Sequence, residues 1–419
     1  MIPLSSAPYV NTLESAIQLL HSPAFCEAHR RSEKDFTRAS ILSLPAIVTA
    51  LLSGIQGAVQ AELNLFFPGL RGSAISQREV SRQAFAKARS KVKTEAFWAL
   101  NDHMVSGLQA VYPTTWFGFR PVAADASTVQ LVRHERKISR HYITAQVFTL
   151  YATDLEMTVR SHLYPEGTGE RQMLVEHLAY LQATDLLLAD RGYPACWLFS
   201  LLTQRKIQFC VRADATGFKV VADFMASGEA ERTVQLAPAN HAHATDYEFD
   251  RTPTTVRLVR ISAPDGTADS AVITSLLDTK VYPAKAFRDL YHKRWRIEEA
   301  YKRIKHKIGL EWQSGLSWLA MQQDLAAKCL CDTLNAFFCA WSGMRARLKK
   351  NRAINRTHAF STLKRRISAW LMKGLPGIQT VAIALTELAR ETIRRIPGQS
   401  KPRLFDRKSH LRLSYKRGV

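Results

Sequence analysis

Residues 185–193 read Asp185-Leu-Leu-Leu-Ala-Asp190-Arg-Gly192-Tyr193. An unbroken apolar run of this length is what a strand buried on both faces requires, and here it ends on an acid at a glycine turn. A matching passage stands upstream: Pro121-Val-Ala-Ala-Asp125-Ala-Ser127, a short apolar run ending on an acid and followed by the strand-like Thr128-Val-Gln-Leu131. Strands that deliver carboxylates at their ends suit a metal site, because hard divalent cations need oxygen ligands held by rigid elements.

The elements between the two acids have an informative order. Two alternating segments, Thr144 to Ala152 and Glu156 to Tyr164, are joined by a turn at Thr153-Asp154 and read as a hairpin. A helical stretch follows from Gly169 to Gln182, with Met173, Leu174, Leu178 and Leu181 at helical spacing. The Asp190 strand comes next, then a helix from Pro194 to about Arg205 and another apolar strand, Gln208-Phe-Cys-Val-Arg212. Three strands, helix, strand, helix, strand is the order of an α/β, ribonuclease-H-like catalytic core.

Further along stands Tyr291-His-Lys-Arg294-Trp-Arg-Ile-Glu298-Glu-Ala-Tyr-Lys-Arg-Ile-Lys305. On a regular helix, Tyr291, Arg294, Glu298 and Lys305 fall at roughly 0°, 300°, 340° and 320°, one narrow polar stripe. Leu290, Ile297, Tyr301, Ile304 and Ile308 form an apolar stripe beside it, as on a helix packed against a core. Taken alone, such a run reads first as a solvated helix with i,i+4 ion pairs; the two acids upstream turn the balance. Glu299 is the rival to Glu298 as third acid, but at roughly 80° it lies off the stripe. Trp295, at roughly 40°, is placed either to pack or to stack on an extruded base.

These residues carry a resemblance. The chain resembles bacterial insertion-sequence transposases of the DDE class, family four in the insertion-sequence naming, whose hallmark Y-x2-R-x3-E-x6-K is met by Tyr291, Arg294, Glu298 and Lys305. The family's second-acid context, Asp-Arg-Gly-aromatic, is met by Asp190 to Tyr193. Its first-acid context appears as Asp125-Ala126-Ser127, with Ala where Gly is commoner. Weaker echoes are Asp35-Phe-Thr-Arg38, Ser81-Arg-Gln-Ala-Phe85 with Ala88-Arg89, and the arginine-rich tail from Arg394. The resemblance implies a DNA transposase that binds the inverted repeats of its element, cuts the ends and joins the freed 3′-hydroxyls to target DNA by cut-and-paste. It implies Asp125, Asp190 and Glu298 as catalytic acids and ligands of two Mg²⁺ ions, with Mn²⁺ able to substitute. Asp125 would bridge, with Asp190 on one ion and Glu298 on the other, and Tyr291, Arg294 and Lys305 would hold phosphates. The implied partner is double-stranded DNA, transposon ends and target alike, with a homodimer on paired ends. A host nuclease of the same fold and a domesticated, non-catalytic DNA-binding protein are the other readings.

The resemblance also accounts for the long interval between Asp190 and Glu298. Thr233 to Leu236, Tyr247 to Phe249, Thr255 to Ser262 and Ala271 to Leu277 read as short strands, with turn signals at Pro238, Pro253 and Pro264-Asp-Gly266. Expected boundaries are a helical N-terminal DNA-binding region (1–115), a first part of the core (116–212), a β-rich insertion (213–276), a second part of the core with the third-acid helix (277–345) and a basic C-terminal DNA-binding or dimerisation region (346–419).

Composition agrees with a nucleic-acid partner. Lys and Arg number 58 against 36 Asp and Glu, a net charge of +22, with 46% hydrophobic residues to build cores. From Trp341 onward 20 basic residues face 3 acidic ones, interleaved with Trp370, Phe405 and Tyr415, and counterion release on phosphate binding is the simplest use of such a surplus. Upstream, Ser76 to Lys93 reads as a basic amphipathic helix presenting Arg82, Gln83, Lys87 and Arg89, in a loose helix-turn-helix context for a DNA end. Ile41 to Val59 is apolar, but Pro45, Gly54, Gln56 and Gly57 interrupt it, so a buried helix is expected and not a membrane span of about 20 residues. The N-terminus lacks a basic region followed by an apolar one, so no signal peptide is expected. The six cysteines lie in apolar contexts, and Cys329-Leu-Cys331 lacks a second ligand pair. His241-Ala-His243 reads as a pair in a polar loop. A reducing cytoplasm, in association with the nucleoid, is the expected location.

Overall fold

The computed structural model describes residues 6–394 except 56, 113–115, 136–137, 215–216, 263–268 and 350. The basic residues from Arg395 onward, Phe405, Tyr415 and the turn Pro264-Asp-Gly266 lie outside the described residues.

Among the described residues six helices precede the first strand: α1 (Ala7–His21), α2 (Pro23–His29), α3 (Leu44–Leu52), α4 (Val59–Leu70), α5 (Arg82–Arg89) and α6 (Glu95–Val111). The apolar stretch after Ile41 is α3, buried along its length and capped by Ser43, whose hydroxyl accepts from the Ala46 N–H. Among the described residues no helix is long and apolar enough to cross a membrane. The basic helix is shorter than its sequence suggests. Only Arg82–Arg89 is helical, and eleven residues, 71–81, separate it from α4, where a helix-turn-helix has a turn of about three or four.

The sheet begins with β1 (Arg120–Glu135), β2 (Ile138–Ala152) and β3 (Met157–Pro165) as an antiparallel meander. After α7 (Glu170–His177), β4 (Asp185–Ala189) inserts parallel to β1. After α8 (Cys196–Gln204), β5 (Gln208–Ala213) continues parallel to β4. The order β3-β2-β1-β4-β5 is that of a ribonuclease-H-like core. The run Leu186 to Ala189 is wholly buried, the reason it can only be a central strand.

The interval 213–276 departs from expectation in its relation to the core. It holds α9 (Lys219–Ser227), β6 (Glu231–Leu236), α10 (His241–Asp246), β7 (Thr254–Ser262) and β8 (Asp269–Thr274). Three of the expected strands are present, yet they form no separate β unit: β8 pairs antiparallel with β5, and the sheet runs on through β7 to β6 as eight strands. An open edge on β5 is thereby paired, which removes a row of exposed backbone donors and acceptors. Tyr247 to Phe249 is not a strand, because α10 ends there with Tyr247 stacked on Trp197 at 4.7 Å and Phe249 buried. His241 and His243 therefore sit on a short helix, capped by the Asn240 side chain, not in a loop.

The chain then forms α11 (Ala286–His292), a 3₁₀ turn (Lys293–Trp295), α12 (Arg296–Lys302) and a π-helical turn (Arg303–Ile308). The uniform helix assumed for the polar stripe is thus a helical path of three different pitches. Gly309 ends it at φ 77°, and a Cβ there would lie 2.1 Å from the Trp312 ring, so only glycine allows both the turn and that packing.

The 28-residue helix α13 (Trp318–Arg345) packs on β3 and α6 and is buried from Ala320 to Phe338. Polar residues recur inside that buried stretch, and Gln322, Gln323, Asp324, Lys328, Asp332 and Asn335 each meet a partner outside the helix. Then come β9 (Arg352–Ile354), α14 (Arg356–Lys373), α15 (Ile378–Arg390) and β10 (Thr392–Arg394), with β9 and β10 paired. Residues 346–394 are accordingly a folded layer on α13, not a free basic tail. Trp370 is buried, 5.5 Å from the Phe338 ring, and its role is packing. All six cysteines are free thiols.

Candidate active site

Parallel pairing of β1 with β4 aligns Arg120 with Asp185 and Ala123 with Leu188. Two more residues along each chain stand Asp125 and Asp190. Asp190 leaves β4 at its end, as its sequence context requires. Asp125 does not: β1 continues unbroken to Glu135, so this acid is presented from mid-strand, opposite Thr149 of β2. The strand can run on because β2 remains its partner after β4 has ended.

The two acids share a crowded, poorly hydrated site. Burial pushes the Asp125 carboxyl up to about 7; the Arg294 guanidinium opposes this, and the negative charges of Asp190 and Glu170 add to it. Asp125 Oδ1 accepts from the Ala126 N–H at 3.0 Å, and Asp190 Oδ1 from the Gly192 N–H at 2.9 Å.

The third-acid helix lies against these strands and is bolted at several points. Lys293 pairs with Asp154 at 2.8 Å and Arg296 donates to the Thr153 carbonyl at 2.8 Å, both in the β2–β3 turn. Tyr301 donates to the carbonyls of Asp125 (2.8 Å) and Val147 (2.9 Å). Lys305 donates to the Ser127 hydroxyl at 2.6 Å and to the Thr128 carbonyl. Arg303 and Arg356 both bond Asp332 of α13, tying helix, core and C-terminal layer together.

Glu298 projects from α12, where Arg294 Nη2 donates to its Oε1 at 2.9 Å. The same guanidinium acts on Asp125. Glu299 is exposed. Among the described residues no three Asp, Glu, His or Cys side chains close on one point as an ion would need, and Glu298 is bonded to Arg294. The donors nevertheless suit a hard divalent cation: all are carboxylate oxygens, and the burial and mutual repulsion that raise Asp125 would be relieved by a cation between the acids.

The other expected site residues separate into open and enclosed. Trp295 is 47% exposed, free to meet a partner. Arg82, Gln83 and Lys87 are exposed on α5. Tyr291 is buried, its hydroxyl without a hydrogen-bond partner and its ring 5.8 Å from the Arg294 guanidinium. Arg294 is only 7% exposed. The stripe is therefore not an open phosphate-binding face: two of its members are enclosed and Lys305 is engaged with β1. Arg89 is a clear correction. It is buried and donates to Gln323, Ser314, the Ala320 carbonyl and Asp324, anchoring α5 to α13. An alternation of basic and apolar residues cannot distinguish a cation facing solvent from one meeting a buried carboxylate far along the chain.

Two features beside the acids were not evident from the sequence. Glu170, the first residue of α7, adjoins Asp190, but in sequence it reads only as an acid that complements a helix start. Arg120 and Asp185, a buried bidentate pair with bonds of 2.7 and 2.8 Å, fix the β1–β4 register. A signal existed there, since an acid inside a buried strand demands a cation.

Residues 116–334, just over half of the chain, match the model of the transposase DDE domain. The chain belongs to that family. Its core is thus a DDE transposase domain, of a kind that generally uses divalent metal ions. No curated protein matches its sequence. Among solved structures it is distantly similar to a piggyBac transposase, seen by cryo-electron microscopy in a synaptic complex with hairpin DNA: 9% identity over 94% of this chain and 84% of that one, with a TM-score of 0.42.

Proposed function

We propose that this DDE transposase domain serves a cut-and-paste transposase of insertion-sequence family four, with Asp125, Asp190 and Glu298 as its catalytic acids. The observation that carries this reading is the alignment of Asp125 and Asp190 on neighbouring parallel strands beneath the helix that bears Glu298. The substrate is double-stranded DNA, first the inverted-repeat ends and then the target, with two copies of the chain on paired ends.

Two divalent ions, Mg²⁺ or Mn²⁺, would supply when bound the activation of a water or 3′-hydroxyl and the stabilisation of the leaving oxygen. Asp125, within β1, and Asp190, just past the end of β4, would hold them, and these strand-borne positions keep the acids in place as DNA changes. Glu298 completes the set when Arg294 gives up its carboxylate for a DNA phosphate, to which a guanidinium can bond through two parallel donors. Lys305 keeps the helix on β1 and lends its charge near the same phosphates. Trp295 offers a stacking face, and Arg82, Gln83 and Lys87 offer contacts to the ends.

Excision from a supercoiled plasmid carrying the flanking repeats of the element tests this reading. Cuts confined to the repeat boundaries in Mg²⁺, followed by joining through 3′-hydroxyls, are expected. Equal cutting of a plasmid without repeats would assign the chain to nucleases of the same fold, and binding without cutting would assign it to domesticated DNA-binding proteins.

A further inference from the structure

The first turn of α7 is drawn over the Asp190 turn. Arg171 donates through Nε to the Tyr193 carbonyl and through Nη2 to the Pro194 carbonyl, each at 3.0 Å. Glu170, its neighbour, is thereby carried towards the acids. Gly192 shows how closely: a Cβ added there would lie 3.2 Å from Asp190 Oδ1 and 3.5 Å from Glu170 Oε2, so the two carboxylates flank one glycine. Among the described residues Glu170 forms no hydrogen bond or ion pair. Its carboxyl is raised by burial and then by the charge of Asp190.

Beside this pair lies Tyr193, wholly buried, its hydroxyl without a hydrogen-bond partner. The charges that act on that hydroxyl are Glu170, Asp125 and Asp190, together with Tyr301. A buried hydroxyl left unbonded costs about 1–3 kcal/mol. Such a hydroxyl, buried beside the acid turn, has its hydrogen bond available for a ligand oxygen.

We propose that Glu170 is a fourth acid of the centre, supplying a further oxygen to the divalent ion held by Asp125 and Asp190, with the Tyr193 hydroxyl orienting the ligand shell. This rests on the reading of Asp125 and Asp190 as metal ligands. It follows that one ion could be gathered before Glu298 is released from Arg294: Asp125 stands in β1, Asp190 just past β4 and Glu170 at the start of α7, so side-chain rotation, without movement of α12, would bring their oxygens together. Divalent cations take six or more oxygen ligands, several of them water, so two strand acids alone would leave the shell loosely ordered.

Titration of the full chain with MnCl₂, following free Mn²⁺ by electron paramagnetic resonance, tests the inference without reference to cleavage. E170Q should weaken the tightest Mn²⁺ site by about tenfold or more, since losing even a partner that only orients a metal's ligands costs about that much. Y193F should weaken it less, and D125N or D190N should remove it. Wild-type affinity in E170Q, with the site lost in D125N and D190N, would leave Glu170 as a helix-start residue and overturn the inference alone. Wild-type affinity in D125N and D190N as well would overturn the underlying reading of the centre. Melting in EDTA guards against a trivial loss of fold: E170Q should melt no lower than the wild type, because it removes a charge beside Asp190. A lower melting temperature would mark Glu170 as a structural anchor and also overturn the proposal.

Discussion

Arg120 and Asp185 face each other across β1 and β4 through two hydrogen bonds of 2.7 and 2.8 Å, and five residues further along each chain stand Asp125 and Asp190. Parallel strands advance together, so a lock at residue 120 against 185 delivers the two acids side by side. A slip of one residue would turn one of them to the opposite face. The lock is sealed, with Asp185 fully buried and Arg120 4% exposed.

R120A should therefore cost about 3–5 kcal/mol, because it leaves an uncompensated buried carboxylate. Replacing both partners with apolar residues of similar volume, R120M with D185L, should cost less than either single change. Urea denaturation of the three variants measures this. A double variant worse than both singles would show that the pair contributes more than charge compensation.

R89A should act on folding and not on DNA affinity. Its guanidinium meets four acceptors inside the protein, Asp324 among them at 2.9 Å, so its loss should also cost about 3–5 kcal/mol. A double exchange of Arg82 and Lys87 for alanine should do the opposite: stability within about 0.5 kcal/mol of wild type, with a shallower salt dependence of end binding. The slope should change by about one for each phosphate that is no longer neutralised. Thermal melts and fluorescence anisotropy at several salt concentrations separate the two cases.

Much of this was legible in the sequence, for a physical reason. The acids of Asp125 and Asp190 announce themselves because a buried strand is apolar and its carboxylate stands out against that background. The element order could be read because β2 and β3 alternate while β4 does not. What stayed hidden depends on long-range pairing. The joining of β8 to β5 depends on two edges meeting, and the burial of Arg89 depends on Asp324, 235 residues away. Similarly, the stripe of Tyr291, Arg294, Glu298 and Lys305 was drawn on a helix of constant pitch. A 3₁₀ turn and a π turn interrupt that path, and tertiary contacts enclose Tyr291 and Arg294. Glu170 could not be found because nothing local separates a helix-start acid from a site acid.

Truncation after Arg394 should preserve the fold and weaken DNA binding with a flatter salt slope, because the removed segment is rich in Lys and Arg. Truncation after Met344 should instead unfold the protein, since it removes α14 and α15, which pack on α13. Circular dichroism with anisotropy distinguishes the two. An unchanged salt slope in the shorter truncation would reassign the segment to other contacts.

R294A should leave assembly on paired ends intact while slowing cleavage or shifting its position. A reacting phosphate misplaced by about 1 Å can cost on the order of a hundredfold in rate. R294K should rescue only in part, because the forked donor is gone. Nucleotide-resolution mapping of cuts on labelled ends reads both effects, and wild-type rate and position in R294A would reduce Arg294 to an ion-pair partner of Glu298.

The central claim is that Asp125, Asp190 and Glu298 form one catalytic set although Glu298 is here bonded to Arg294. Single-turnover cleavage of labelled inverted-repeat ends in Mg²⁺, run beside end binding for D125N, D190N, E298Q and E299Q, tests it most directly. The account predicts that the first three variants bind ends as the wild type does and do not cut them, while E299Q binds and cuts normally. Cleavage by E298Q together with its loss in E299Q would contradict the assignment of the third acid, and cleavage by D125N or D190N would contradict the site itself.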